Sequence, residues 1–175
     1  MGEVEPTRLA AWQAFLYSHA ALVERLGREL EEECGLPLGW YDALVVLSES
    51  RPDGLRLNQL ASHLVLSQSG ISRLVDRLER AGYVRRSRCP ADGRGTIALL
   101  TQEGQAVLEA AAPVHLRGVH EHFARHLSDD EALLLQRALS RVVARLRPDR
   151  QLLAPPADQG AEAGGEAQGS ATPPG

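Results

Sequence analysis

A mainly α-helical fold with a small β-wing is expected from this chain: a winged helix-turn-helix module joined to a helical dimerisation region built from both termini. Three observations predict it. Residues 57–101 contain two short amphipathic helical patterns joined by a tight turn, then an arginine-rich stretch that reads as a hairpin. Both flanks carry long helical patterns with more apolar surface than so small a middle can cover. Charge is also sorted along the chain: residues 55–101 hold eight arginines against Asp76, Glu79 and Asp92, a local balance of +5, although the whole chain is at −4.

Composition narrows the class further. The chain has 175 residues and is 43% hydrophobic but only 4% aromatic, so its core must be built from Leu, Val and Ala. No apolar run approaches the roughly 20 residues of a membrane span. The acidic start, from Met1 to Pro6, lacks the apolar segment of an export signal. Two cysteines, Cys34 and Cys89, provide no disulfide framework, and the expected compartment is the cytoplasm. Residues 1–54 balance at −6, residues 102–150 at zero and the remainder at −3. Affinity for a phosphate backbone follows the local patch rather than the total, so the middle segment is the face for nucleic acid. All of the basic Lys/Arg side chains are Arg, which suits bidentate phosphate and guanine contacts but equally follows from GC-rich codon usage.

Taken in order, residues 7–33 read as one long helix, with Leu9, Trp12, Leu16, His19, Val23, Leu26 and Leu30 on one stripe and Phe15 and Leu22 widening it. Gly35-Leu36-Pro37 ends it. Residues 38–49 form a second helix with Tyr41, Leu44, Val45 and Ser48 on one face, and residues 51–54 have turn chemistry. Asn58 is the expected cap of the third helix, which turns Leu57, Leu60, Ala61 and Leu64 inward. Ser67 is the expected cap of the fourth, whose buried stripe is Ile71, Leu74, Val75 and Leu78, and Gly82 stops it. Strands then flank Asp92-Gly93, a dipeptide that favours a type I′ hairpin. Thr101 starts a fifth helix to about Leu127, bent at Pro113. Ser128-Asp129-Asp130-Glu131 is a capping box that launches a last helix along Leu135, Leu139, Val142 and Leu146. The division is therefore 1–37 N-terminal dimerisation helix, 38–101 winged module, 102–150 C-terminal dimerisation helices and 151–175 a disordered tail rich in Ala, Gly and Pro.

The run LSQSGISRLVDRLERAGYVRR at residues 66–86 and the wing Asp92-Gly93-Arg94, followed by Leu100-Thr101 and Gly104, resemble the MarR family of winged-helix repressors. The resemblance spans roughly residues 9–146. It implies a homodimer that binds short inverted repeats of double-stranded DNA, usually as a repressor, and often one that a small phenolic or lipophilic effector releases.

On the fourth helix the outward positions Ser69, Ser72, Arg73 and Asp76 follow i, i+3, i+4 and i+7, and Gln68 lies at the N-terminal end that enters the major groove in helix-turn-helix proteins. Gln68 and Arg73 suit adenine and guanine edges, with Ser69 and Ser72 as adaptable partners. Arg77 belongs to the same candidate surface, and Ser67 joins capping to a phosphate contact. A solvated face with an Asp76–Arg80 pair is the simpler alternative. Arg94 at the hairpin tip suits a minor groove, flanked by Arg85, Arg86 and Arg88, while Asp92 shapes the turn or braces an arginine.

Candidates for a signal input are weaker. Trp12, His19, Trp40, Tyr41 and His115 are the candidate lining of an effector pocket, against the plainer alternative of hydrogen-bonded core histidines. Asp42 complements the dipole of its helix or couples a ligand to the DNA-reading helix. Cys89, among arginines, is a better thiolate than Cys34, which follows three glutamates. His122 and His126 have i,i+4 metal-ligand spacing within the set His115, His120, His122 and His126, with Glu121 and Asp129 near in sequence, but no CxxC or HExxH motif accompanies them. No metal site, cofactor, membrane partner or enzymatic constellation is expected. The leading reading is a dimeric DNA-binding regulator with a small-molecule input. The alternatives are an architectural DNA-binding dimer without effector and a thiol-based redox regulator using Cys89.

Overall fold

The computed structural model describes residues 4–64, 66–88 and 95–147. Among them, the order is α1 (Pro6–Cys34), α2 (Leu38–Glu49), β1 (Leu55–Arg56), α3 (Leu57–Leu64), α4 (Gln68–Arg80), β2 (Val84–Arg88), β3 (Thr96–Leu100), α5 (Gln102–His122), one 3-10 turn (Ala124–His126) and α6 (Asp129–Leu146). Two compact units divide the chain, Met1–Gln136 and Arg137–Gly175. The sheet, the core and the candidate site belong to the first. The expected tail at 151–175 lies outside the described residues.

Local chemistry explains the helix ends. Pro6 opens α1, where its missing N–H costs nothing because the first turn has no partner for it. Gly35 closes α1 at φ +62°, with its N–H on the Glu31 carbonyl at 3.0 Å and the Leu36 N–H on Leu30 at 3.3 Å. The Ser67 hydroxyl caps α4 by accepting from the Gly70 N–H at 3.1 Å. At the other end, the Gly82 N–H bonds Glu79 and the Tyr83 N–H bonds Leu78, the two bonds of a Schellman motif, with Gly82 at φ +82°. Ser128 and Glu131 complete the capping box of α6: the Ser128 N–H and hydroxyl both donate to Glu131 at 2.8 Å, and the Glu131 N–H returns to the Ser128 hydroxyl at 3.4 Å.

The core gathers Leu30 and Leu36 with Tyr41, Leu44 and Leu47 of α2, Leu60 of α3, Ile71, Val75 and Leu78 of α4, Val84 of β2 and Leu108 and Ala111 of α5. Each fully buried Leu or Ile side chain contributes about 1.5–3 kcal/mol of burial. The first half of α1 is excluded from this core: Leu9, Trp12, Phe15 and Leu16 are all exposed, and Leu30 is the buried residue of the helix.

Four expectations are corrected. The sheet has three antiparallel strands in the order β1-β3-β2, not a lone hairpin. Leu55 pairs with Ala98 and Arg56 with Ile97 across β3; β1 was hidden from the pattern because it runs only two residues and carries no alternation to reveal it. Asn58 does not cap α3; it lies inside the first turn, and the Gln59 side chain instead accepts from the Arg56 N–H at 3.0 Å, the reciprocal half of a capping box. The fifth helix stops at His122, since Phe123 leaves the helical region at φ −133°, and a 3-10 turn carries the chain on to Leu127. Asp76 is not partnered by the Arg80 guanidinium, which donates to the Asp76 backbone carbonyl at 3.2 Å; its carboxylate goes to Arg86.

Candidate nucleic-acid interface

The site is built on α4. Its buried stripe, Ile71, Val75 and Leu78, fixes the rotation of the helix on the core, and that rotation leaves Ser69, Arg73 and Arg77 exposed on the opposite side, while Gln68 is exposed at the N-terminal end. Ser72 is half-buried, and its backbone carbonyl accepts from Arg86. Ser67 caps the helix while its hydroxyl also lies 3.2 Å from that of Ser69, so the polar groups of the N-terminal end are tied to one another. An exposed helix N-terminus with spare N–H groups favours an anion.

The strands of the wing follow directly. β2 pairs with β3 from Val84↔Leu100 to Arg88↔Thr96, so the two strands carry the chain outward in register before the expected turn. Arg94, Asp92 and Gly93, together with Cys89, lie outside the described residues. Arg85 and Arg88 are exposed on β2. Arg86 is not: its side chain is 27% exposed and turns back onto α4, where it meets Asp76, Glu79 and the Ser72 carbonyl. The expected grouping of Arg86 with Arg88 at the wing is therefore divided by the fold.

A second junction joins α4 to α5. The Thr101 hydroxyl donates to the Gly82 carbonyl at 2.7 Å and accepts from the Gly104 N–H at 3.0 Å, and the Thr101 N–H donates to the Tyr83 carbonyl at 3.1 Å. Gly104 has no room for a side chain, because a Cβ there would run into the Tyr83 carbonyl oxygen and come within 2.8 Å of Leu100. The start of α5 is thus fixed against the residues that end α4.

The five expected effector residues do not converge. Trp12 and His19 each stack on Phe15 along the exposed part of α1, with ring centroids 6.1 and 6.2 Å away. Trp40 meets the Tyr83 ring edge-on at 6.1 Å. Only Tyr41 and His115 come together, with ring centroids 4.5 Å apart. The His115 Nδ1 is buried and makes no hydrogen bond to the described residues. Burial pushes the His115 pKa below its ordinary 6.5, with Asp42 opposing, and burial raises the Tyr41 phenol.

The histidine pair expected to have metal-ligand spacing is also separated. His122 ends α5 while His126 sits in the 3-10 turn, so the two are not one turn apart on a common helix. His122 instead bonds Glu29 of α1 at 2.8 Å, beside Arg25, and the hydrogen bond from His122 holds the Glu29 carboxyl below the usual range. Among the described residues no group of three or more His, Cys, Asp or Glu is placed to hold a metal ion. Cys34 is half-buried and in no disulfide. Among the described residues no helix is long and apolar enough to cross a membrane.

The model of the MarR family matches residues 35–95, from just after α1 to just before β3. A helix-turn-helix transcriptional regulator of Bacillus cereus is 30% identical over 118 residues, which cover 67% of this chain and 77% of that one. The structure of AbsC, a MarR-family transcriptional regulator from Streptomyces coelicolor, is 33% identical and superimposes with a TM-score of 0.77 over 85% of this chain and 99% of AbsC. A second MarR-family regulator from the same organism, solved in complex with DNA, is 32% identical with a TM-score of 0.79, covering 85% of this chain and 92% of the other.

Proposed function

The chain belongs to the MarR family of transcriptional regulators, and we propose that it works as a cytoplasmic homodimer that reads an inverted repeat in duplex DNA through α4 and the wing. One observation carries the reading: Ser69, Arg73 and Arg77 form an outward face, with Gln68 exposed at its N-terminal end, on a helix whose opposite face is locked into the core and whose N-terminus is capped by Ser67. Gln68 and Arg73 are the base readers, Ser69 and Ser72 adjust to them, and Ser67, Arg77, Arg88 and Arg94 hold the phosphate backbone or an adjacent minor groove. A two-fold dimer places two such helices about one turn of duplex, roughly 34 Å, apart.

In this reading the protein is a repressor released by a small aromatic or phenolic effector, for which the Tyr41–His115 pair is the anchor. What supports that placement is the closeness of the two rings and the buried Nδ1 of His115, which suits a ligand hydroxyl. The experiment is selection of duplexes from a random pool by the purified protein, followed by sequencing. A near-palindrome should emerge, and Arg73→Ala should relax preference at one position per half-site by about 1–3 kcal/mol. Equal loss on every sequence would make Arg73 a backbone contact; no enrichment at all would remove the DNA reading.

A further inference from the structure

We propose that Arg86 is a positioning residue that clamps the wing to the recognition helix and covers the acidic groups of that helix, and that it makes no contact with DNA. The proposal rests on the reading of α4 as the DNA-reading helix. Its basis is a set of four interactions made by one residue. The Arg86 backbone N–H donates to Glu79 Oε1 at 3.0 Å; Nη1 meets the Asp76 carboxylate and lies 3.1 Å from Glu79 Oε2; Nη2 donates to the Ser72 carbonyl at 3.2 Å. Residues 72, 76 and 79 follow i, i+4 and i+7, so a single guanidinium spans two turns of one α4 edge. Val84, two residues earlier and so on the same face of β2, is buried at 2%. That alternation turns Arg86 toward α4 and leaves Arg85 exposed.

Two consequences follow for reading DNA. First, β2 is registered against α4 by both its backbone and a side-chain fork, and β3 is registered against β2 by five paired residues. The offset between the outward face of α4 and the arginines of the wing is therefore fixed before DNA arrives, and order in the free protein lowers the cost of binding. Secondly, Asp76 and Glu79 are the acidic residues of α4 and lie among Arg73, Arg77 and Arg80. Held by Arg86, both carboxylates are tied to the β2 edge of α4, and one of their two charges is offset. A lysine could not replace it, because one ammonium cannot reach three acceptors in a planar fork.

A salt series and a double-mutant cycle test this on the full chain with the selected duplex and an unselected one. Arg86→Gln should lower the preference for the selected duplex about tenfold or more while the slope of log affinity against log salt stays as in wild type, since one fewer neutralised phosphate would change that slope by about 0.9. Asp76→Asn should cost less in the Arg86→Gln background than alone, because the two residues act as one unit. Arg86→Lys, which keeps a charge and so folds under milder perturbation, should also lose preference at unchanged slope. A slope lowered by about one with additive effects of the two substitutions would make Arg86 a phosphate contact and overturn the proposal alone. A wild-type chain that prefers no duplex would overturn the DNA reading and the proposal with it.

Discussion

His115 shows how a single residue couples burial to protonation. Its ring lies against Tyr41, and burial favours the neutral imidazole, so its folded pKa falls below 6.5. Asp42 pulls the other way, but burial is the larger influence. A histidine with a depressed folded pKa binds fewer protons folded than unfolded, so its stabilising contribution is complete above 6.5 and is lost as pH falls through 6.5 toward the folded value. Melting temperature should therefore decline on acidification from about pH 7.5 to 5.5, and His115→Phe, which keeps a ring beside Tyr41, should flatten that decline. Parallel curves for the two proteins would show that His115 is not the group responsible.

At the scale of elements, the joint between α4 and α5 matters most, because it fixes α4 to a long helix of the flanking region. Thr101→Val removes the bonds to Gly82 and Gly104 while keeping the shape, and should cost about 1–3 kcal/mol in urea unfolding. Gly104→Ala should cost more than that, since its Cβ meets a backbone carbonyl and not the end of a flexible side chain; a neutral Gly104→Ala would mean that α5 can slide without penalty. Such joints are only half legible in the sequence. Thr101, Ser67 and Ser128 are readable as caps because a cap and its N–H partner are three residues apart, a purely local signal. The second role of Thr101, its bond to Gly82, depends on a contact across 19 residues that no local pattern encodes. Arg86 illustrates the same limit. Helical spacing suggests Arg80 as the partner of Asp76, whereas the real partner comes from a strand 10 residues on, and only the alternation from buried Val84 points to it. The aromatic set fails for a related reason: residues on one predicted stripe of α1 share a face, but nothing in their spacing says whether that face meets the core, and here Trp12 and His19 do not reach Tyr41.

For the whole molecule the question is what the first half of α1 is for. A helix of 29 residues extends about 43 Å, and this one packs on α5 through its second half, where Leu26 approaches Gly118 and Leu30 is buried. Its first half presents Trp12 at 55% exposure and Leu16 at 43%, beside Leu9 and Phe15. An isolated helical arm with a continuous apolar stripe is marginal in water, so a partner surface is needed to hold it. In the proposed homodimer a second copy of the chain would meet that need with two-fold symmetry, the arrangement that would also pair the two α4 helices. Leu16→Glu should then shift the protein to monomers in sedimentation at micromolar concentration, because a carboxylate in an apolar seam must be desolvated without a partner. The same variant should bind an isolated half-site about as wild type does, since α4, the wing strands and their clamps are distant from residue 16 in sequence and complete in one chain. Its affinity for the full inverted repeat should drop by about 10²-fold or more, the gain that linking two half-site readers provides. Dimers that persist in Leu16→Glu would place the seam elsewhere. Loss of half-site binding together with dimerisation would mean that the arm supports the fold of the reading module itself.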